Sequence, residues 1–106
     1  MRVLFDQGTP APLRQLLLEH EVETAYERGW SSLQNGDLIA AAEAAGFAVF
    51  VTTDRNLKYQ QNLAAWRMAI VVLLTTSWPR IKAASAPVVI AVNASFPGDY
   101  AEVSIP

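Results

Sequence analysis

Three short apolar runs, each closing on polar residues, constrain this chain more than anything else in it. Arg2-Val3-Leu4-Phe5 runs into Asp6, Ala48-Val49-Phe50-Val51-Thr52-Thr53 into Asp54, and Met68 to Leu74 into Thr75-Thr76. Apolar runs of this length, bounded by turn signals, read as buried strands. Strands buried on both faces are typical of a parallel sheet, because its crossover connections cover both sides. Ligands of such sheets bind in the crevice beyond the carboxyl ends of the strands. Asp6 and Asp54 stand at two of those ends.

The segments between the runs supply the crossovers. Leu13, Leu16 and Leu17 recur at helical spacing and predict a helix over Thr9 to Leu18, with Thr9 as its cap and Pro10 at its first position. That leaves the Asp6 carboxylate either a functional role or the ordering of its loop as an Asx turn. His20 to Thr24 alternates weakly and predicts a short edge strand whose charges discourage further pairing. Tyr26 to Gln34 reads as a polar loop containing Arg28 and Trp30. Asn35 is the expected cap of a second helix running to Ala45, with Gly46 as its stop. Arg55 to Ala65 reads as a third helix or helical turn. Trp78 to Lys82 starts another, Ser85-Ala86-Pro87 breaks and re-caps it, and Val88 to Ala94 continues helically despite its β-branched residues. Pro97-Gly98 is a turn signal, and Tyr100 to Ile105 alternates as a final strand. The alternation predicts an α/β domain: three α/β/α layers around a mostly parallel five-stranded sheet with right-handed crossovers. The 106 residues suffice for one domain with one core.

Bulk properties narrow the function classes. No run approaches the ~20 apolar residues of a membrane span, and no charged region followed by a long apolar stretch marks a signal peptide. The absence of cysteine excludes a disulfide framework and thiolate metal sites, and a cytoplasmic setting is the default expectation. A net charge of −2 lacks the basic signal of nucleic-acid binders, unless bound cations supply positive charge locally. The surplus of apolar residues, 52% of the chain, favours association through an apolar patch, such as a homodimer.

The chain has four aspartates. Asp6 and Asp54 end strands that precede helices, Asp37 lies in the first turn of the helix leading into the Asp54 strand, and Asp99 follows the Pro-Gly turn as a structural residue. In a doubly wound sheet these strand ends and helix N-termini crowd one rim, so Asp6, Asp37 and Asp54 are expected to converge. Converging carboxylates either raise their pKa values or recruit a divalent cation. Oxygen ligands without His or Cys suit Mg²⁺ or Mn²⁺, which activate water and neutralise developing charge in phosphodiester hydrolysis. The structural alternatives are a helix-dipole role for Asp37 and a capping role for Asp54. The single histidine, His20, has no triad partner and reads as a surface residue. Around the acids, Arg55 and Lys58 are expected to hold substrate phosphates, Asn56 to bind a metal water, and Thr52, on the same strand face as Asp54, to orient it. Their other reading is an exposed helix face. Trp30 and Tyr59 are candidates for stacking on bases, whereas Trp66 and Trp78 read as packing residues. Glu43 reads as a solvated helix residue.

Leu4-Phe5-Asp6-Gln7-Gly8, Asn35-Gly36-Asp37-Leu38-Ile39 and Val51-Thr52-Thr53-Asp54-Arg55-Asn56-Leu57 together resemble a compact PIN-like domain. Similar families include the nuclease toxins of bacterial toxin–antitoxin pairs and small PIN-like proteins. The resemblance covers residues 1 to 75. It implies a Mg²⁺- or Mn²⁺-dependent ribonuclease with Asp6, Asp37 and Asp54 as metal-binding catalytic carboxylates, RNA as substrate and a small antitoxin protein as partner. PIN domains commonly bring four acidic residues where this chain offers three, and Gln7 stands where many small relatives carry an acid or its amide. Two other classes stay open. One is a catalytically silent PIN-like module that binds a partner protein. The other is a receiver-like phosphoacceptor domain, matched by Asp6, Asp54 and Thr75 or Thr76 but lacking the acidic pair and the lysine of that family.

Overall fold

In the computed structural model, which describes residues 1–60, 62 and 65–106, five strands form one entirely parallel sheet in the order β2-β1-β3-β4-β5. The strands are β1 (Arg2–Phe5), β2 (Glu21–Thr24), β3 (Val49–Thr52), β4 (Ala69–Leu73) and β5 (Tyr100–Val103). Between them lie a 3₁₀ helix (Ala11–Leu16) and the helices α1 (Asn35–Ala44), α2 (Leu57–Gln60), α3 (Trp78–Ala83) and α4 (Ser85–Asn93). The three apolar runs are the three central strands, and every residue of β3 and β4 is buried. This is the three-layer α/β/α architecture the sequence predicts.

Period-two alternation sends successive strand residues to opposite layers. Val3, Phe5, Val49, Val51, Ala69, Val71 and Leu73 pack with Leu13, Ile81, Val88 and Val92 from the 3₁₀ helix, α3 and α4. Leu4, Phe50, Ile70 and Val72 pack with Leu38, Ile39, Ala42 and Leu57 from α1 and α2. Among the described residues no helix is long and apolar enough to cross a membrane.

Local chemistry explains where elements stop. Gly46 takes φ +85° and donates to the Glu43 carbonyl at 3.1 Å, while Phe47 donates to Ala42 at 3.1 Å. This is a Schellman closure of α1, available to glycine without a Cβ penalty. Two expectations need correction. The first helical segment is six residues of 3₁₀ helix rather than a helix over Thr9 to Leu18, and Pro10, not Thr9, stands before it without a side-chain cap. The Thr9 hydroxyl is engaged elsewhere. Gln34 precedes α1, and Asn35 is its first helical residue rather than its cap. Of the helix or helical turn expected over Arg55 to Ala65, the described residues hold the single turn α2, and positions 61, 63 and 64 lie outside them.

Candidate active site at the carboxyl ends of β1 and β3

Strand order reverses between β1 and β3, since β2 returns to one side of β1 and β3 to the other. This is the switch point where a doubly wound sheet opens a crevice. Phe5 pairs with Val51 in register, and the Asp6 N–H donates to the Val51 carbonyl at 3.1 Å. Asp6 therefore follows directly off the ladder, two residues beyond Leu4, and Thr52 lies two residues beyond Phe50 on the same face. The Thr52 hydroxyl donates to Asp6 Oδ2 at 2.5 Å and accepts the Asp54 N–H at 3.0 Å. One fully buried hydroxyl thus joins the two strand-end aspartates.

The other Asp6 oxygen, Oδ1, lies 2.6 Å from the Thr9 hydroxyl, which is also 3.0 Å from the Val51 carbonyl. A single hydroxyl proton faces two acceptors there. Asp6 is only 9% exposed. Burial pushes its carboxyl above the ordinary range and the Asp54 charge adds to the rise, against the opposing hydrogen bonds from Thr52 and Thr9. The frame suits both protonation states. A charged Asp6 accepts from both hydroxyls, while a protonated Asp6 donates to Thr9, whose own proton then serves Val51. Gly8 permits the close approach of this loop to β3, because a Cβ at that position would sit 2.6 Å from the Thr53 hydroxyl.

Asp54 is half-buried and held from two sides. Its Oδ1 accepts the Asn56 N–H at 3.0 Å, an Asx turn, and its Oδ2 accepts from the Asn35 side-chain amide in the first turn of α1. The Asn35 contact settles the position of Asp37. Two helical residues are separated by about 200° around the axis, so a helix that aims Asn35 at Asp54 turns Asp37 away. Asp37 is exposed and has no hydrogen bond or ion pair among the described residues. Among those residues no group of three or more His, Cys, Asp or Glu side chains is placed to hold one ion. The rim brings together Asp6 and Asp54, with Asn35 rather than Asp37 beside them.

The donors present are all hard oxygens: two carboxylates, the Asn35 side-chain carbonyl and the Thr53 hydroxyl. Magnesium is commonly bound by one or two carboxylates together with waters and substrate phosphates, and this pair fits that pattern rather than an all-protein cage.

The expected substrate residues divide. Arg55 and Asn56 are exposed and line a cleft of about 240 Å³ with Lys58, Tyr59 and Glu102. Lys58 is paired with Glu102 at 2.9 Å. Thr52 has no exposed surface, so it positions Asp6 and touches no substrate. A second cleft of about 490 Å³ lies on the β2 side and is lined by Asp6, Gly8, Thr9, Tyr26, Thr76 and Trp78. Tyr59 is exposed, whereas Trp30 packs edge-on to Phe47 with the Arg28 guanidinium 4.7 Å from its ring centre. Trp66 and Trp78 pack against the two cores as expected. Glu43 is not a freely solvated residue: both its oxygens accept the Arg67 N–H at 3.1 Å, tying α1 to the approach of β4.

Sequence reasoning missed Thr9, Asn35 and Gly8 as parts of the corner. Thr9 and Asn35 carried a visible signal, a polar side chain before a helix, which capping rules assign to the backbone. The need for glycine at position 8 comes from a residue 45 positions away and has no local signature. No family model, curated protein or solved structure matches the chain.

Proposed function

We propose that this corner is the active site of a Mg²⁺- or Mn²⁺-dependent ribonuclease of the PIN-like kind. The observation that carries this reading is the pairing of Asp6 and Asp54 across β1 and β3 through the shared Thr52 hydroxyl. A bound cation would supply an activated water and neutralise developing charge on the phosphate. Asp6 and Asp54 would hold it. Thr52 and Thr9 fix the Asp6 oxygens, Asn35 and the Asn56 N–H fix Asp54, and Arg55, exposed one residue beyond Asp54, would take a substrate phosphate. A proton on Asp6 competes with the cation, so metal binding should strengthen as pH rises through the raised Asp6 pKa. In this reading the substrate is cytoplasmic RNA and the protein is the toxin of a pair controlled by a small antitoxin protein.

The test is RNA cleavage with Mn²⁺ alongside metal titration. Asp54→Asn and Asp6→Asn should abolish both cleavage and tight Mn²⁺ binding, while Asp37→Asn should retain both. Equal behaviour of wild type and Asp54→Asn would remove the hydrolytic reading and favour a catalytically silent binding module.

The strand order 2-1-3-4-5, shared with receiver domains, favours one second reading, in which Asp54 accepts a phosphoryl group and Thr76, which lines the cleft at Asp6, supplies the hydroxyl. Incubation with a small phosphodonor would then add one phosphoryl mass to wild type and none to Asp54→Asn.

A further inference from the structure

Glu102 sits where a ligand anion would be expected. β3, β4 and β5 are in register, so Thr52, Val72 and Glu102 form one row across the sheet. Strands are spaced by about 4.8 Å, so Glu102 lies about 10 Å from Thr52, along the same rim. Tyr100 is two residues before Glu102 on the same face of β5, and α2 brings Lys58 over that face. The Lys58 ammonium and the Tyr100 hydroxyl converge on a single oxygen, Oε2 of Glu102, at 2.9 and 2.7 Å. Arg55 lines the same cleft. An ammonium and a phenol on one anionic oxygen, with a guanidinium lining the same cleft, make a donor set suited to phosphate.

We infer that Lys58, Tyr100 and Arg55 form a phosphate subsite which the chain's own Glu102 carboxylate occupies until a polyanion displaces it. The subsite rests on the ribonuclease reading for its substrate, and it would take a phosphate other than the one at Asp6 and Asp54. The charges agree with an anion held in place. Hydrogen bonding to Lys58 and then to Tyr100 keeps the Glu102 carboxyl below the usual range, and Glu102 raises Lys58 in turn. Both groups are solvent-accessible, with side chains 37% and 31% exposed, so an incoming phosphate can reach them.

The experiment measures binding of a labelled, unstructured oligoribonucleotide by fluorescence anisotropy, without divalent metal and across a salt series. Glu102→Gln should tighten binding about two- to fivefold, the value of a released exposed ion pair. The log Kd against log salt slope should steepen by about 0.7, one added phosphate contact on a single strand. Lys58→Gln should weaken binding more in the Glu102→Gln background than in wild type, and Tyr100→Phe should weaken it in that background too. Unchanged or weaker binding by Glu102→Gln, with an unaltered thermal melt, would overturn the subsite, as would an equal Lys58→Gln effect in both backgrounds. The two readings fail separately. Tighter binding by Glu102→Gln without cleavage under any metal keeps the subsite and removes the nuclease. Metal-dependent cleavage with identical KM in wild type and Glu102→Gln does the reverse.

Discussion

The corner at β1 and β3 and the flank at β5 both gather charged groups at the same edge of the sheet, yet they are built from opposite materials. At the corner, Asp6 is enclosed, both its oxygens meet hydroxyls, and the Thr52 hydroxyl is committed on both sides. At the flank, the Lys58–Glu102 pair is open to solvent, with half-buried Tyr100 beside it. A buried polar group left without its partner is expensive, whereas an exposed ion pair contributes little to stability. The corner can therefore hold a fixed geometry, and the flank can exchange its partners. Fixed geometry suits chemistry, and exchangeable pairing suits binding.

The contrast is sharpest at Thr52. Thr52→Val keeps the shape and removes the hydroxyl, leaving the Asp54 N–H and one Asp6 oxygen unpaired in the interior. Urea denaturation should show a loss of about 1–3 kcal/mol. A loss near zero would mean that the corner is as pliable as the flank. Gly8→Ala forces a Cβ toward the Thr53 hydroxyl, and overpacking of this kind costs about 1–3 kcal/mol, less where the neighbour can rotate. Adding Thr53→Ala should recover most of the loss. If it does not, the contact at Gly8 is not the source.

Asp6→Asn separates stability from activity. The amide can accept from Thr52 and donate to Thr9, whose proton then goes to Val51, the same pattern a protonated Asp6 makes. The folded pKa of Asp6 lies above its unfolded value of 3.8. Between those two values the folded state binds more protons than the unfolded state, so the wild type loses stability as pH rises through that window. Asp6→Asn lacks this slope. Its denaturation midpoint relative to wild type should climb from about pH 3.8 upward and level off above the folded pKa. Glu27 titrates in the opposite sense, because Arg14 holds it near 2, but it is present in both proteins and cancels in the difference. A flat difference across pH would show that Asp6 is not strained by burial. The smallest effect belongs to the flank, where Lys58→Gln should leave the thermal midpoint within error. A clear drop would make Lys58 a structural residue and weaken its role in binding.

Much of this architecture was readable from residue order. The three apolar runs announced β1, β3 and β4, because a strand covered on both faces has no polar alternation to disguise it. The residues ending those runs announced Asp6 and Asp54, and period two put Thr52 on the correct face. Val88 to Ala94 read as helical despite its β-branched residues, and α4 covers that stretch through Asn93. Less could be read from polar residues near helix starts. Thr9 and Asn35 both fit capping rules, and both instead turn to strand-end carboxylates, Thr9 to Asp6 three residues before it and Asn35 to Asp54. Asp37 lies in the first turn of α1 as read, but it is Asn35 from that turn that meets Asp54. Lys58 stood free in the sequence, and its partner Glu102 is 44 residues away.

Residue order alone decided the layers, the strands and which two acids end adjacent strands, since apolar burial and alternation act along the chain and need no distant partner. Folding in three dimensions decided which polar side chains meet. Hydrogen bonds are short and directional, so one turn of helix phase or one row of strand register determines whether two groups touch.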